Sequence, residues 1–373
     1  MSQTRRDFVK STSLITGSLI AAPFLSEASM FNSLVDDTIK VALIGCGGRG
    51  TGAAIQALST KQNVKLVAMA DAFQDRLDSC YKEITGDDFE NLKSKIDVPA
   101  DRRFVGFDAY LKAIPLADVV ILTTPPGFRP LHFEAAVNAG KHIFMEKPVA
   151  TDPAGVQRVL AAAEKAKAKK LNVVVGLQRH YQTSYREIMK RLQDGMVGDV
   201  VSASAWWNND GVWVNPRKAG QTEMEYQMRN WYYFNWLCGD HINEQHIHNL
   251  DVINWFKEGY PVKAQGFGGR QVRNSKEHGE IFDHHFVEFE YADGSILNSQ
   301  CRHIPGTMSK VDELLIGTKG KIFCGAANIK DHTGKLIYQY DTKLENNPYQ
   351  TEHDELFAAI AKGEYKYADA ENG

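Results

Sequence analysis

The sequence predicts an α/β protein in which a doubly wound domain with a parallel sheet precedes an α+β domain with a large open antiparallel sheet. Between residues 38 and 175, short β-branched runs alternate with helical patterns, as in parallel sheets that are covered by helices. After residue 181, strand-like runs follow one another, mostly without helical patterns between them. Turn pairs such as Asp293-Gly294 and Lys319-Gly320 separate these runs and favour antiparallel pairing.

The N-terminal residues have the pattern of an export signal. Arg5, Arg6 and Phe8 precede a mildly apolar stretch over residues 13–25, and Ser26-Glu27-Ala28 is a small-x-small cleavage pattern. We therefore expect residues 1–28 to be a twin-arginine signal peptide and the mature protein to be periplasmic or otherwise extracytoplasmic. A basic amphipathic helix that stays on the protein is the alternative.

A glycine-rich loop follows the first predicted strand, residues 38–44. The loop reads Gly45-Cys46-Gly47-Gly48-Arg49-Gly50, and a helical pattern follows it. In this strand–loop–helix order Gly45 permits a tight turn, Gly47 allows a pyrophosphate to approach and Gly50 allows the helix to pack closely on the strand. The pattern predicts a Rossmann-type dinucleotide site at a helix N-terminus.

The second strand, residues 64–70, ends at Asp71, 21 residues past Gly50. A carboxylate at this position accepts hydrogen bonds from the adenosine ribose and repels a 2′-phosphate, which favours NAD over NADP. An acidic loop residue without such a role is the alternative interpretation.

The alternation of strands and helices continues to residue 175. A buried strand over residues 118–124 runs into Pro125, and a helix over residues 129–139 ends at Gly140, a typical C-cap glycine. The strand at residues 141–145 ends in Glu146-Lys147-Pro148. Asp71 and Lys147 thus follow two strands of one parallel sheet, at the edge where such sheets bind ligands.

These motifs together resemble the Gfo/Idh/MocA family (glucose–fructose oxidoreductase, inositol dehydrogenase and rhizopine catabolism). The match also includes Thr124-Pro125, His132 and Ala139-Gly140-Lys141-His142, and it covers essentially residues 38–365. The resemblance implies a Rossmann domain, here residues 38–180, and a substrate domain with an open antiparallel sheet, here residues 181–365. Family members usually continue past the position of Gly373 with another helix, so the chain is expected to be truncated there.

The expected cofactor is NAD, and one set of residues is expected to bind it. They are Gly45, Gly47, Gly48, Arg49, Gly50, Asp71, Thr124, Pro125, Glu146 and Lys147. The resemblance also implies that Lys147 reaches the substrate carbinol beside the nicotinamide.

The second half contains strand-like runs and an unusual aromatic stretch. The predicted strands are residues 199–208, 262–268, 284–291, 295–303, 309–317, 321–324 and 335–340. All six tryptophans lie within residues 206–255, and residues 208–230 are polar with little regular pattern. We expect Trp207, Trp213 or Trp231 to contact a sugar ring, although a core role is the simpler alternative. Tyr181 is a further candidate for substrate binding.

Residues 241–256 are predicted to form one helix. Glu244, His248, Asp251 and Trp255 would then share a face. The family pattern is Asp-x-Gly-x-His-x-x-Asp, so Glu244 replaces its first aspartate whereas His248 and Asp251 match. His241 is an additional candidate for the substrate site.

Two other interpretations of this helix stay open at the sequence level. His241, Glu244 and His248 could hold a divalent metal together with the pair His284-His285, although we expect no metal. The same polar side chains could also simply be solvated at the start of a helix.

The predicted function is an NAD-dependent oxidoreductase that acts on a sugar, sugar derivative or polyol. Lys147 would accept or share the carbinol proton, His248 would relay it and Glu244 would orient His248. Export would require the cofactor to stay bound. The alternatives are an NAD-dependent glycosidase that works by oxidation, elimination, hydration and reduction, and a non-catalytic sugar-binding protein.

The predicted partners follow from composition and from the open sheet. Lys and Arg number 43 against 46 Asp and Glu, a net charge of −3, so no basic surface for nucleic acid is indicated. No apolar run approaches the ~20 residues of a membrane span. We expect a small carbohydrate substrate and a homo-oligomer, a dimer or tetramer, formed through the open sheet.

Overall fold

The computed structural model describes residues 37–373, and residues 38–373 form one compact unit. The predicted signal peptide, residues 1–28, lies outside the described residues. No helix among the described residues is long and apolar enough to cross a membrane.

The first sheet has six parallel strands. In chain order they are β1 (Ile39–Ile44), β2 (Val64–Asp71), β3 (Arg103–Val105), β4 (Val119–Leu122), β5 (His142–Met145) and β6 (Val173–Val175). Their order in the sheet is β3-β2-β1-β4-β5-β6, which is the Rossmann order. Because the order reverses between β1 and β4, the carboxyl ends of these two strands border a crevice.

The second sheet has eight strands and is mostly antiparallel. They are β7 (Val200–Asn209), β8 (Lys263–Gly269), β9 (His284–Glu290), β10 (Ile296–His303), β11 (Lys310–Gly317), β12 (Gly320–Phe323), β13 (Asn328–Asp331) and β14 (Leu336–Gln339). Their order is β14-β13-β12-β11-β7-β10-β9-β8, with β7 and β10 parallel. The predicted fold class is confirmed, with this parallel pair as a departure from a purely antiparallel sheet.

The α-helices alternate with the strands of the first sheet and then cluster between β7 and β8. They are α1 (Gly48–Leu58), α2 (Gln74–Ile84), α3 (Ala109–Ala113), α4 (Arg129–Asn138), α5 (Pro153–Ala168), α6 (Thr183–Gln193), α7 (Glu223–Arg229), α8 (Asn235–Cys238), α9 (Asp240–Glu244), α10 (Ile247–Lys257) and α11 (Pro348–Ala361). Short 3-10 turns connect several of them, including Trp231–Tyr233.

Both faces of the first sheet are covered, as a doubly wound fold requires. Ala42 and Ile44 of β1 pack in one apolar cluster with α4 and α5, whereas Val41 and Leu43 pack in another with α1 and α2. Neighbouring residues of β1 point to opposite faces because side chains alternate along a strand. This explains why the predicted strands of this half are nearly continuous apolar runs.

The C-terminal helix α11 belongs to the first sheet's covering layer. Leu356 and Phe357 are fully buried in the same cluster as Val41 and Leu43, and Ala368 forms a parallel bridge with Val173 beyond the helix. Helix α11 thus helps to cover this face of the first sheet.

The second sheet is covered on one face and open on the other. Helices α6 and α10 contribute Ile188, Val252 and Ile253 to a buried cluster with Leu297 of β10 and Leu315 of β11. The strict alternation of buried and partly exposed residues along β10 reflects this one-sided cover.

Candidate active site

A cavity of about 680 Å³ lies at the carboxyl ends of the parallel strands. Most of the predicted site residues line it. They are Gly45, Gly47, Gly48, Arg49, Asp71, Thr124, Pro125, Glu146, Lys147, Trp207, Trp213, Trp231, Glu244 and His248. The structure thus joins residues from both halves of the chain in one site.

The glycine loop has the backbone geometry that a pyrophosphate site needs. Gly45 has a φ of +98°, and a Cβ atom there would lie 2.6 Å from the Thr124 nitrogen. A Cβ atom on Gly47 or Gly48 would meet no atom within 4 Å, so this stretch of backbone faces open space. Helix α1 begins here without a side-chain cap, which leaves its first N–H groups available to an anion.

Gly50 has a packing role, unlike Gly47 and Gly48. A Cβ atom on Gly50 would lie 1.9 Å from the Gly45 oxygen, and Gly50 does not line the cavity. It therefore serves the cofactor site by letting α1 pack against the loop, as the motif predicts, and not by contact with the cavity.

Asp71 is held rigidly at the end of β2. Its carboxylate accepts hydrogen bonds from the Cys46 nitrogen at 2.6 Å and the Phe73 nitrogen at 2.9 Å. Burial raises the pKa of Asp71, and the two backbone N–H groups oppose that shift. The order β2-β1-β4-β5 places Asp71 and Lys147 three strand spacings apart, roughly 14 Å, which suits the length of a dinucleotide.

Lys147 is anchored by Glu244 at the other end of the cavity. The Lys147 Nζ atom donates to Glu244 Oε1 at 2.9 Å and also to the Glu244 main-chain oxygen. Both side chains are largely buried, with exposed fractions of 11% and 13%. Burial raises the pKa of the Glu244 carboxyl, and the charge of Lys147 opposes this rise.

The helix that carries Glu244 is broken, contrary to the single helix predicted over residues 241–256. Helix α9 ends at Glu244 and α10 begins at Ile247. The Glu244 carbonyl is therefore free to accept from Lys147, which a continuous helix would have prevented. Glu244, His248, Asp251 and Trp255 consequently do not share one helical face.

His248 stands beside the Lys147–Glu244 pair. Burial, together with the positive charges of Lys147 and Arg179, holds the pKa of His248 well below its usual range. Its Nδ1 atom is buried without a hydrogen-bond partner, and its ring stacks on Trp207 with centroids 6.0 Å apart. A neutral imidazole thus lines the cavity beside Lys147 and Glu244.

The three predicted tryptophans form an aromatic wall. Trp213 and Trp231 meet edge to face at 5.9 Å, and Trp213 remains 45% exposed. The Trp207 indole N–H is buried without a partner. The other tryptophans contact protein instead: Lys310 lies over Trp206, Trp236 packs on Phe128, and Trp255 stacks on His180.

Arg49 connects the glycine loop to the C-terminal helix. Its guanidinium donates to Glu146 at 2.5 Å and to Glu352 of α11 at 3.2 Å, and it lies over the Tyr349 ring. Tyr349 itself lines the cavity. Sequence reasoning missed Glu352 and Tyr349 because about 300 residues separate them from the loop that they complete.

Arg129 is another cavity residue that the sequence did not single out. It is buried and donates to the Leu122 oxygen and the Thr124 oxygen, each at 2.7 Å. Burial lowers the pKa of Arg129 to about 10, although Glu146 and Glu244 favour its charge. It ties the end of β4 to the start of α4 and so holds Thr124 in the cavity wall.

A segment between β7 and α8 also lines the cavity and reaches α2. Asn215, Met228 and Arg229 line the cavity together with Asp71. Arg229 pairs with both carboxylate oxygens of Asp75, at 2.9 and 3.0 Å, and lies over Phe73. We call residues 211–231 the strap, because they join the second half of the chain to α2.

Two predicted substrate residues are not brought to the cavity. Tyr181 is buried in the core beneath α11, and its hydroxyl donates to Asp369 at 2.8 Å. His241 is fully buried and contacts Asp240, His285 and His303. His241 does not line the cavity that Glu244 and His248 line, so the metal set that would combine these three residues is not formed.

Comparison with known proteins identifies the family. Residues 39–175 match the model of the Gfo/Idh/MocA oxidoreductase family, NAD-binding Rossmann fold, and residues 185–323 match a Gfo/Idh/MocA C-terminal domain. The chain is 31% identical to an inositol 2-dehydrogenase of Gluconacetobacter diazotrophicus over 45% of this chain and 43% of that protein. It is 23% identical to an inositol 2-dehydrogenase of Acidiphilium cryptum over 83% of this chain and 84% of that protein.

A solved structure supports the same fold. An aldose-aldose oxidoreductase from Caulobacter crescentus, complexed with glycerol, aligns over 90% of this chain and 93% of its own, with a TM-score of 0.67 and 18% identity. The glycine loop, Asp71 and the open backbone at Gly47 fit the NAD that the family model describes. The chain therefore belongs to the Gfo/Idh/MocA family of oxidoreductases, with an NAD-binding Rossmann domain.

Proposed function

We propose that this protein oxidises a secondary alcohol of a sugar or cyclic polyol with NAD as the hydride acceptor. The observation that carries the proposal is the Lys147 ammonium, fixed by Glu244 and placed beside a neutral His248 in the aromatic-walled cavity. The inositol 2-dehydrogenases among its relatives support the substrate class.

The side chains divide the work on the reacting carbinol. When bound, NAD⁺ accepts the hydride from the carbinol carbon. Lys147, which Glu244 holds in place, donates a hydrogen bond to the carbinol oxygen. As the C–O bond becomes a carbonyl, the hydroxyl proton passes to the neutral imidazole of His248.

The aromatic wall selects rings with apolar C–H faces. Trp207, Trp213 and Trp231 offer flat surfaces with few rotatable bonds, which suits a pyranose or inositol ring. A flexible linear alcohol would gain less from such a wall.

The test is a spectrophotometric screen of cyclic polyols and aldoses with the purified protein. We expect the near-ultraviolet absorbance of NADH to rise with at least one of them, and to rise far less in a Lys147→Ala protein that still contains NAD. Absence of NADH formation and of any aglycone release with all substrates would contradict catalysis and favour a sugar-binding protein.

A redox-neutral glycosidase is the competing enzymatic function. In that reaction the hydride returns in each cycle, so aryl glycosides turn over without net NADH and C2 exchanges its proton with solvent. Glu244, whose Oε1 atom accepts from Lys147, is the residue that would remove the C2 proton in this reaction. Multiple turnovers of an aryl glycoside with C2 deuteration, lost in Glu244→Gln, would replace the oxidoreductase proposal.

We also propose that NAD is retained through turnover and purification. The strap joins α2 through Arg229 and Asp75 and lines the cavity beside Asp71. Denatured protein should release about one nicotinamide nucleotide per chain without any having been added. Protein that emerges free of nucleotide and binds it only weakly would refute retention.

The export and oligomer predictions stand as proposals as well. Fractionation of the native host should place the mature protein outside the cytoplasm, and replacing Arg5 and Arg6 by Lys should keep it inside.

The proposed assembly uses the open face of the second sheet. Four side chains are cross-strand neighbours there: Phe267, Phe286, Gln300 and Trp206. Phe267 is 71% exposed. Light scattering should show a dimer or tetramer that Phe267→Lys weakens.

A further inference from the structure

A cluster of metal-ligating side chains lies outside the cavity, at the start of α9. Asp240, His241 and His285 each place one possible ligand atom so that the three atoms lie within 4.8 Å of one another. None of the three lines the cavity that holds Lys147. We propose that they bind one divalent transition-metal ion, for which Zn²⁺ is the best match.

The distances in the cluster are close to those around a bound ion. Asp240 Oδ2 lies 3.5 Å from His285 Nε2, and Asp240 Oδ1 lies 2.8 Å from His241 Nδ1. Zinc binds nitrogen and carboxylate oxygen at about 2.0–2.2 Å, which separates neighbouring ligands in a tetrahedron by roughly 3.4 Å. The separation of Asp240 Oδ2 from His285 Nε2 matches this spacing, whereas the 2.8 Å contact between Asp240 and His241 is a hydrogen bond that the ion would replace.

An unpartnered nitrogen atom points to a missing ligand. His285 Nε2 is buried and makes no hydrogen bond among the described residues. His241 is fully buried, and its Nδ1 atom, which lies beside Asp240, is the nitrogen proposed to bind the ion. Buried polar atoms are normally paired, and a metal ion would satisfy such lone pairs.

The fold holds the three side chains in place. Asp240 has a φ of +70°, and its carboxylate accepts from the His241 nitrogen at 2.6 Å and the Phe282 nitrogen at 2.8 Å. His285 pairs across the sheet with Gly268, where a Cβ atom would lie 3.0 Å from His285 Nδ1. The missing side chain at Gly268 gives the ring its room.

The local charge admits a cation even though an arginine is present. Arg273 donates to the Phe282 oxygen at 2.6 Å and to His303 Nδ1 at 2.7 Å, and its Nη1 atom lies 3.5 Å from His241 Nδ1. Asp240 and Asp283 supply two negative charges against this positive one. The two carboxylates outnumber this guanidinium, which favours a cation at the cluster.

The ion would have a structural role that is independent of the proposed reaction. It would tie β9, which carries His285, to α9, which ends at Glu244. A stable α9 in turn fixes the Glu244 oxygens that hold Lys147. The ligands Asp240 and His285 retain 13% and 15% side-chain exposure, so an ion can enter from solvent.

The zinc content of the protein tests the proposal directly. The full chain is stripped with EDTA, incubated with ZnCl₂, desalted and analysed by elemental mass spectrometry. We expect about one zinc per chain in the wild type and little in Asp240→Asn or His285→Ala. His284→Ala is the matched control, because His284 directly precedes His285 on β9 and bonds Asp283, which is not a proposed ligand. It should retain the zinc.

Thermal melting supplies a second readout that needs no activity. Zinc should raise the Tm of the stripped wild type and of His284→Ala, but not that of Asp240→Asn, since only a folded site binds the ion. Wild-type protein that retains no zinc after desalting would overturn the proposal. Equal zinc loss in folded His284→Ala and His285→Ala would overturn the ligand assignment.

Discussion

The two ends of the cavity are built in different ways. At the adenosine end, backbone groups of one short segment, residues 45–50, and a carboxylate 21 residues later form the site. At the reacting end, Lys147 follows β5, Glu244 ends α9, and Trp207 lies on β7. The first end is a local motif, whereas the second exists only when distant segments meet.

This difference determines how each end responds to substitution. A local motif depends on backbone conformation and close packing, so a single added methyl group can disrupt it. An assembled site depends on side chains that hold one another, so removing one of them stops the chemistry but leaves the fold.

Lys147→Ala should have the largest effect on activity and almost none on cofactor binding. Loss of the ammonium removes a hydrogen-bond donor to the reacting oxygen, so kcat should fall by about 10²-fold or more. Turnover and the nucleotide content of the same preparation are measured together. Loss of NAD along with activity would show that the two ends are not separable.

Gly50→Ala and Gly47→Ala form a matched pair at the adenosine end. A Cβ atom on Gly50 meets the Gly45 oxygen at 1.9 Å, so the free energy of unfolding should fall by about 3 kcal/mol. Gly47 has a φ of −76° and open space around it, so alanine there should leave stability within about 0.5 kcal/mol. Nucleotide binding should weaken in both. Urea unfolding and nucleotide titration measure the two quantities, and equal destabilisation would contradict the packing role of Gly50.

Acid should destabilise the assembled end through its buried histidines. Burial lowers the pKa of His246 to about 3. Below pH ~6.5, the ordinary histidine pKa, the unfolded chain therefore binds a proton at His246 and the folded chain does not. This contribution to stability is complete above pH ~6.5 and is lost as the pH falls towards 3. At pH 5, which is ~1.5 pH units below 6.5, the free energy of unfolding is lower by about 2 kcal/mol.

The His246→Gln variant tests whether His246 causes this loss of stability at low pH. The variant should lose about 2 kcal/mol less than the wild type between pH 7.5 and pH 5, measured by urea unfolding at each pH. Its stability at pH 7.5 serves as the reference, because the His246 ring also bonds Ser299 at 2.8 Å. Parallel pH profiles for both proteins would exclude His246 as a source of acid sensitivity.

Arg229→Ala should have the smallest effect, on nucleotide release. The Arg229–Asp75 pair links the strap to α2, but Asp75 is 63% exposed and solvent screens the pair. Release of NADH, followed by its fluorescence, should accelerate about 2- to 5-fold. Arg217→Ala is the control, because Arg217 pairs with Glu223 and does not line the cavity. An equal change in both variants would argue against the strap as a latch.

Much of this molecule follows from the sequence alone. The predicted strands of both halves agree with the structure to within about two residues, because apolar runs and turn residues act locally. The short strands Arg103–Val105 and Asn328–Asp331 were missed, since each has only three or four residues with a weak pattern. Asp71 and Lys147 line one cavity because parallel strands bring their carboxyl ends to one edge.

Tertiary contacts decided the remainder. The break between Glu244 and Ile247, the entry of Glu352 and Tyr349 beside Arg49, and the burial of Tyr181 and His241 away from the cavity all depend on residues far apart in the chain. Periodicity and motif spacing describe only how neighbouring residues arrange themselves. Which side chains meet across the cavity depends on how the two sheets and the helices pack, and that packing is a property of the folded chain.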